Sequence, residues 1–200
     1  MYSTTSKYYE YQGMFWKIQS APSGCYTPML RSICQLFFNM HSYHARLLVF
    51  RFDLRQPSFT DCNQRITRFF RRLNRRLIAK YKLQQLGYFW TREQDSAKAQ
   101  HYHCVLFIDG KCVNYPSTVS AMCEEVWANM SGSYWRPDNC FYLSHRHNHQ
   151  IIGEVIYRLS YLAKTRGKDK KSPQTKNYGS SRIAANPKSV SPLKDMTRAH

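Results

Sequence analysis

Two histidines one residue apart open an otherwise apolar segment, and they are the first candidates for chemistry in this sequence. In the run QHYHCVLFIDG (100–110), His101 and His103 are separated by Tyr102. If the run is a strand, both imidazoles lie on one face, about 7 Å apart along the backbone, where they could share one metal ion. The spacing alone is a weak signal, because the eight histidines of the chain form two further pairs of this kind.

Those further pairs lie in SHRHNHQ (144–150), where Arg146 and Asn148 separate the histidines. A strand-forming apolar run follows the first pair but not these. We therefore expect His145, His147 and His149 to contact phosphate or to lie at a solvated edge, rather than to form a second metal site.

A carboxylate can complete the site of the first pair. Glu93 stands eight residues before His101, at the end of LGYFWTREQ (86–94), which has the composition of a strand. An antiparallel hairpin between the two strands would bring Glu93 opposite His101. Two imidazoles and one carboxylate, without a thiolate, suit Mg²⁺ or Mn²⁺ and leave coordination positions open for a substrate. The alternative is that Glu93 is a surface acid beside Arg92.

Two tyrosines and a lysine form a second candidate group, in IIGEVIYRLSYLAKTRG (151–167). Tyr157, Tyr161 and Lys164 are spaced i, i+4 and i+7, so on a helix they share one face. Apolar residues of the same segment can pack the helix and leave this face free, although tyrosines at such spacing also occur in cores. A phenol ionises only near pH 10, so its attack on phosphorus requires a nearby cation and a metal ion that polarises the phosphate.

The charge of the chain favours a nucleic acid as its partner. Thirty Lys and Arg residues stand against twelve Asp and Glu, a formal charge of +18, and this excess suits a polyanion or a membrane surface.

The chain has no run of about 18 apolar residues and its first residues lack the apolar core of a signal peptide, so we expect a cytoplasmic protein with no membrane partner. Seven scattered cysteines, none in a C-x-x-C motif, favour reduced thiols.

The hydrophobic pattern around these groups predicts an α+β fold with one central antiparallel sheet. The predicted helices cover about 28–43, 61–83, 114–132 and 151–167, and the predicted strands cover 45–55, 86–94, 100–110 and 140–148. Asp61 and Gln64 resemble a capping box at the start of the second helix. We expect a flexible lead-in at 1–24, one domain at 25–167, and a basic, mostly flexible tail at 168–200.

The second predicted helix carries an arginine-rich face without interleaved acidic residues. Helices that are merely solvated normally alternate both signs of charge, so this face is a candidate for phosphate contacts, with a plain solvated face as the equal alternative. The basic residues that we expect to contact DNA are Arg65, Arg68, Arg72, Arg75, Arg76 and Lys168.

Two motifs resemble those of a known family. HYH (101–103) matches the HUH signature, in which a hydrophobic residue separates two metal-binding histidines. YRLSYLAK (157–164) resembles the tyrosine motif of rolling-circle replication initiators, including the Y-x-x-x-Y-x-x-K form of some phage initiators. Together with YFWTREQ and YGSSR, they make residues 45 to 183 similar to the inovirus-type replication initiator group, also described as the YagK/YfjJ C-terminal domain.

The resemblance implies a ferredoxin-like or RRM-like HUH endonuclease domain that nicks single-stranded DNA at a replication origin in a bacterial host cell. Tyrosine attack would form a 5′-phosphotyrosine link and free a 3′-hydroxyl for rolling-circle synthesis, with the host replication helicase and polymerase as partners. It implies that His101, His103 and Glu93 bind Mg²⁺ or Mn²⁺. It also implies Tyr161 as nucleophile, with Lys164 near it, and Tyr157 as second nucleophile or helper.

Three alternatives remain open on the sequence. A transposase or relaxase would use the same chemistry on a different DNA. A non-enzymatic single-strand-binding protein would hold the backbone with arginines and stack bases on the many aromatic residues. A metal nuclease that uses water would need further acidic residues beside the ligands, and the whole chain has only twelve.

Overall fold

The computed structural model of the protein describes residues 2–94, 99–168 and 174–189. Within those ranges the helices are α1 (Thr27–Tyr43), α2 (Gln64–Tyr81), α3 (Ser117–Ala128) and α4 (His149–Ser160), with a 3₁₀ turn at Tyr161–Ala163. The strands there are β1 (Ser3–Thr4), β2 (Tyr8–Tyr11), β3 (Met14–Lys17), β4 (Cys25–Tyr26), β5 (Arg46–Arg55), β6 (Gly87–Glu93), β7 (His101–Asp109), β8 (Ser133–Trp135), β9 (Phe141–His145) and β10 (Tyr178–Ser180).

The main sheet has six strands and every pairing in it is antiparallel. Its order is β10-β6-β7-β5, and β8 and β9 both pair with the outer edge of β5. The histidine strand β7 therefore lies in the interior of the sheet, between β6 and β5. The predicted α+β fold with a central antiparallel sheet is confirmed.

Both faces of this sheet are covered by helices, as the two apolar sides of β7 predicted. Val105 and Phe107 pack in a core with residues of α1 and α4, and we call this side the front face. Leu106 and Ile108 pack in a second core with residues of α2 and α3, on the back face. Because side chains alternate along a strand, His101 and His103 belong to the front face.

Three helices differ in extent from their predictions, and α3 (Ser117–Ala128) is shorter at both ends than the predicted 114–132. The N-cap of α2 is Asn63 and no side chain caps the helix there, so the predicted capping box of Asp61 and Gln64 is wrong. The last helix begins at His149 and ends at Ser160, before the predicted end at 167. Lys164 is in an extended conformation and forms a β-bridge with Cys25, and this pairing with a distant segment ends the helical run.

The chain on either side of the predicted domain also takes part in the fold. The first 24 residues contain β1, β2 and β3, and β10 pairs with β6 along the sheet edge. Gly179 of β10 lies over Trp90, where a Cβ would come within 2.7 Å of the indole, so only a glycine allows this approach. The fold thus extends beyond the predicted limits of 25 and 167, and residues 169–173 and 190–200 of the predicted tail lie outside the described ranges.

Within the described ranges, none of the helices combines the length and the hydropathy that a bilayer span requires.

Candidate metal and tyrosine site

The three ligands predicted from the sequence meet at one end of the front face. Glu93 pairs with His101 in the register of β6 and β7, as the predicted hairpin requires. The Oε2 atom of Glu93 lies 2.6 Å from Nε2 of His103 and 3.9 Å from Nε2 of His101. Possible ligand atoms of all three residues lie within 4.8 Å of one another. This donor set of two nitrogens and one oxygen fits a divalent metal ion.

A second carboxylate, whose place at the site was not predicted from the sequence, contacts His103 from the other side. Asp53 of β5 pairs with His103 in the strand register, and its Oδ1 lies 2.8 Å from Nδ1 of the ring. A carboxylate at Nδ1 keeps the proton on that nitrogen and leaves the Nε2 lone pair for a metal ion. The polar positions 51 and 53 within an apolar strand were the sequence signal for this partner.

Burial and charge set the protonation of the cluster. Burial by itself lowers the pKa of His103, but the contacts with Asp53 and Glu93 outweigh it and the pKa of this ring is raised. The pKa of His101 is lowered by burial and by the neighbouring His103. Burial opposes ionisation of Glu93, yet His103 and Lys168 hold the pKa of this carboxyl below its ordinary value. A metal ion bound here would replace the proton on Nε2 of His103, whereas the proton on Nδ1 would stay beside Asp53.

Tyr161, at the start of the 3₁₀ turn, borders the cluster. Its ring centroid lies 5.4 Å from that of His103, edge to face. The guanidinium carbon of Arg51 lies 4.5 Å and the Nζ of Lys164 lies 5.1 Å from the same phenol ring centroid. Two cations therefore contact the ring of the tyrosine that is adjacent to the candidate ligands.

Tyr157 has a different environment. Its side chain is 39% exposed and its ring lies 5.7 Å from the Nζ of Lys17, on β3. It does not line the cavity that contains the histidines, whereas Tyr161 does. The predicted stripe of Tyr157, Tyr161 and Lys164 on one helix is thus divided, because α4 ends before Tyr161.

The cluster opens into a cavity of about 820 Å³ between the front face and the last helix. Three of its lining side chains are arginines: Arg51 and Arg55 from β5 and Arg158 from α4. Trp135 of β8 lines it as well, and Asp53 is the acidic residue among its lining side chains. A cavity with this lining suits a phosphate group that is joined to an aromatic base.

The arginines predicted to contact DNA lie elsewhere. Helix α2 buries its apolar side against the back face, so its arginine face is on the side of the sheet opposite the cavity. Arg65 donates a hydrogen bond to the Met130 carbonyl, and Arg76 forms an ion pair of 2.6 Å with Glu125. The exposed members of the predicted set are Arg68, Arg72 and Arg75.

Lys168, the last basic residue of that set, is 2% exposed and its charge acts on Glu93. The preceding Gly167 lies so close to Glu93 that a Cβ would come within 2.6 Å of its Cγ. A lysine this deeply buried beside the cluster is placed to influence Glu93 rather than to track a DNA backbone on the surface.

The histidines of SHRHNHQ are spread over two elements. His145 ends β9 and His149 begins α4, so they share no strand face. His149 stacks on Trp16 at 6.5 Å between ring centroids. In the part of the chain that the structure describes, Glu93, His101 and His103 form the one group of three or more residues whose ligand atoms converge.

The fold and this site define an α+β domain with a buried histidine–carboxylate cluster that adjoins a tyrosine. The model of one family, the YagK/YfjJ C-terminal domain, matches residues 10–181. This match covers most of the chain and every residue of the cluster, so the chain belongs to the YagK/YfjJ C-terminal domain family. No curated protein and no solved structure matches the chain significantly.

Proposed function

We propose that this protein is an HUH-type endonuclease and strand transferase that nicks single-stranded DNA at an origin and starts rolling-circle replication, as inovirus-type initiators do. The observation that carries the proposal is the position of Tyr161, whose ring centroid lies 5.4 Å from that of His103 in an arginine-lined cavity. A metal site beside a phenol that contacts two cations is the arrangement that phosphodiester attack by tyrosine requires.

In the proposed reaction the Tyr161 oxygen attacks the phosphorus atom and the bond from phosphorus to the 3′-oxygen breaks. The phenol proton passes to water in the open cavity, and the departing 3′-oxygen takes a proton from water. The products are a 5′-phosphotyrosine and a free 3′-hydroxyl, which a host polymerase can extend while a host helicase separates the strands.

Each residue of the site has a role in this scheme. Glu93, His101 and His103 would hold Mg²⁺ or Mn²⁺, which would polarise the phosphate when bound. Arg51 and Lys164 contact the Tyr161 ring and would offset the negative charge that develops as its oxygen attacks the phosphate.

The test is capture of a covalent adduct. The protein is incubated with Mn²⁺ and a library of randomised single-stranded oligonucleotides, adducts that survive denaturing detergent are isolated, and the modified peptide is identified by mass spectrometry. We expect the adduct on Tyr161 and its loss in Tyr161→Phe. Tyr157→Phe is the matched control and should retain the adduct within a few-fold.

Other outcomes would replace this proposal. An adduct on Tyr157 would move the nucleophile to the helix. Metal-dependent cutting that survives both Phe substitutions would indicate a nuclease that uses water, and binding without cleavage would indicate a single-strand-binding protein. Captured sequences that come from transposon ends or transfer origins would indicate a transposase or a relaxase.

A further inference from the structure

Trp135 is an exposed aromatic residue that lines the cavity and has no role in the proposed reaction. Its side chain lines the cavity and is 48% exposed, which is unusual for an indole beside a buried polar cluster. The other three tryptophans of the chain are buried, at 5% for Trp16, 6% for Trp90 and 0% for Trp127. Trp135 therefore differs from them in having a large face available to a ligand.

The strand register determines how far Trp135 lies from the candidate metal ligands. Trp135 pairs with Asp53 across β8 and β5, and Asp53 pairs with His103 across β5 and β7. His103, Asp53 and Trp135 thus form one row across the front face, and two strand spacings separate its ends by about 10 Å. A group bound at the cluster and a ring stacked on Trp135 can belong to the same short ligand.

The groups around the indole indicate what kind of ring would stack there. Arg55 and Arg158 line the same cavity, and the Nη2 atom of Arg158 is held 2.6 Å from the carbonyl oxygen of Asp138. A flat aromatic surface with adjacent guanidinium groups binds a base by stacking and its phosphate by charge. A base within a duplex has no free face to offer, so this arrangement selects unpaired nucleotides.

We propose that Trp135 is the stacking platform for an unpaired nucleobase close to the phosphodiester that Tyr161 attacks, with Arg158 placed for the adjoining phosphate. The inference rests on the proposed function and makes its substrate class more specific: a single strand whose base beside the cleaved bond is accessible. Trp135 acts in this scheme as a binding and positioning residue.

Intrinsic fluorescence tests the platform without requiring cleavage. A single-stranded oligothymidylate of about twenty nucleotides, titrated in the presence of EDTA, should quench the emission of the exposed indole, because the other three tryptophans are buried. Trp135→Phe should keep most of the binding, measured by fluorescence anisotropy of a labelled oligonucleotide, and lose the quenching. Quenching of equal size in Trp135→Phe, or none in the wild-type protein, would overturn the proposal.

The affinity change provides a second readout. Trp135→Ala should weaken binding roughly 5- to 150-fold, the range found when one base–aromatic stack is removed. The matched control is Tyr115→Ala, which removes an aromatic residue that is 59% exposed and outside the cavity lining; binding should not change. If Trp135→Ala does not fold, as judged by its thermal unfolding, the quenching of the Phe variant decides the question.

The two proposals fail in different ways. Equal affinities of the wild-type protein and Trp135→Ala, together with a normal adduct on Tyr161, would overturn the platform and leave the nicking reaction intact. Quenching and the affinity loss without any adduct would retain the platform and overturn the nicking reaction. An abasic nucleotide moved along the oligonucleotide should reduce binding to the wild-type protein at one position and have little effect there in Trp135→Ala.

Discussion

The two faces of the main sheet are both basic, but their positive charges differ in what surrounds them. On the front face Arg51 contacts the Tyr161 ring, 4.5 Å from its centroid, and lines the cavity with His101 and His103. On the back face Arg72 and its exposed neighbours on α2 point away from the sheet. Net charge measures how strongly a protein attracts a polyanion, whereas catalysis depends on charges beside the reacting atoms.

The sheet itself separates these two groups of charges. Alternate residues of β7 lie on opposite faces, and α2 packs on the back face, so the sheet stands between the arginines of α2 and the cluster. They can attract DNA to the protein but do not reach a phosphate bound beside His103. Substitutions on the front face should therefore change metal binding and adduct formation, whereas substitutions on the back face should change the affinity for DNA.

The largest effect should come from His103→Ala on the front face. It removes a candidate metal ligand and should abolish Mn²⁺ binding in calorimetry and lower adduct formation on the order of a thousandfold, as the loss of transition-state charge stabilisation does. Arg72→Ala on the back face should leave Mn²⁺ binding unchanged. Normal Mn²⁺ affinity in His103→Ala, with a folded protein, would contradict the metal site.

Asp53→Asn should have the next largest effect. An amide cannot hold the proton on Nδ1 of His103 as a carboxylate does, so metal affinity should fall about 10- to 100-fold. The control is Asp109→Asn, at the other end of β7, which removes a carboxylate 3.3 Å from Nδ1 of His44. Equal metal affinities of the two variants would show that Asp53 does not position His103.

Removal of three exposed arginines of α2 should have a smaller and different effect. The triple variant Arg68→Ala/Arg72→Ala/Arg75→Ala should bind single strands less tightly at low salt. The slope of log K against log salt should become shallower by up to about 2, from about 0.7 per lost phosphate contact. Adduct formation at saturating DNA should not change. A lower saturating rate would mean that the back face takes part in the chemistry.

The smallest effect concerns the pH dependence of stability, to which the buried histidines His41 and His103 contribute with opposite signs. The ring of His41 contacts the His44 carbonyl oxygen and the Ser144 hydroxyl, and burial lowers its pKa to about 4 from 6.5. The unfolded chain therefore binds the proton more readily between these values, so the free energy of unfolding should fall as pH drops from 6.5 to 4. This group contributes at most about 3 kcal/mol.

Urea unfolding at pH 7 and pH 4.5 measures this effect. His41→Gln should lose the destabilisation that this site causes on acidification, and His147→Gln, at an exposed turn, should keep it. The raised pKa of His103 acts with the opposite sign, because a proton bound more tightly in the folded state stabilises it below pH 6.5. The comparison of the two variants therefore isolates His41. Equal pH dependences would contradict its assignment as a neutral, buried ring.

The parts of the site that follow from local patterns could be predicted from the sequence. The alternation of β7 determines that His101 and His103 share a face, since the side-chain period of a strand is two. The short link to β6 determines that Glu93 lies opposite His101, since a hairpin pairs neighbouring strands. The polarity of one side of α2 is likewise readable from its spacing.

The tertiary structure decided what depends on contacts between distant segments. Asp53 reaches His103 through the pairing of β5 with β7, and the Lys164–Cys25 bridge ends the helical run directly after the 3₁₀ turn that contains Tyr161. Trp135 joins the site because a three-residue strand, too short for a periodic signal, pairs with β5. A helix pattern shows which side is polar but not which face of the sheet it covers, so the sequence could not tell that the arginines of α2 and the histidine–carboxylate cluster lie on opposite faces.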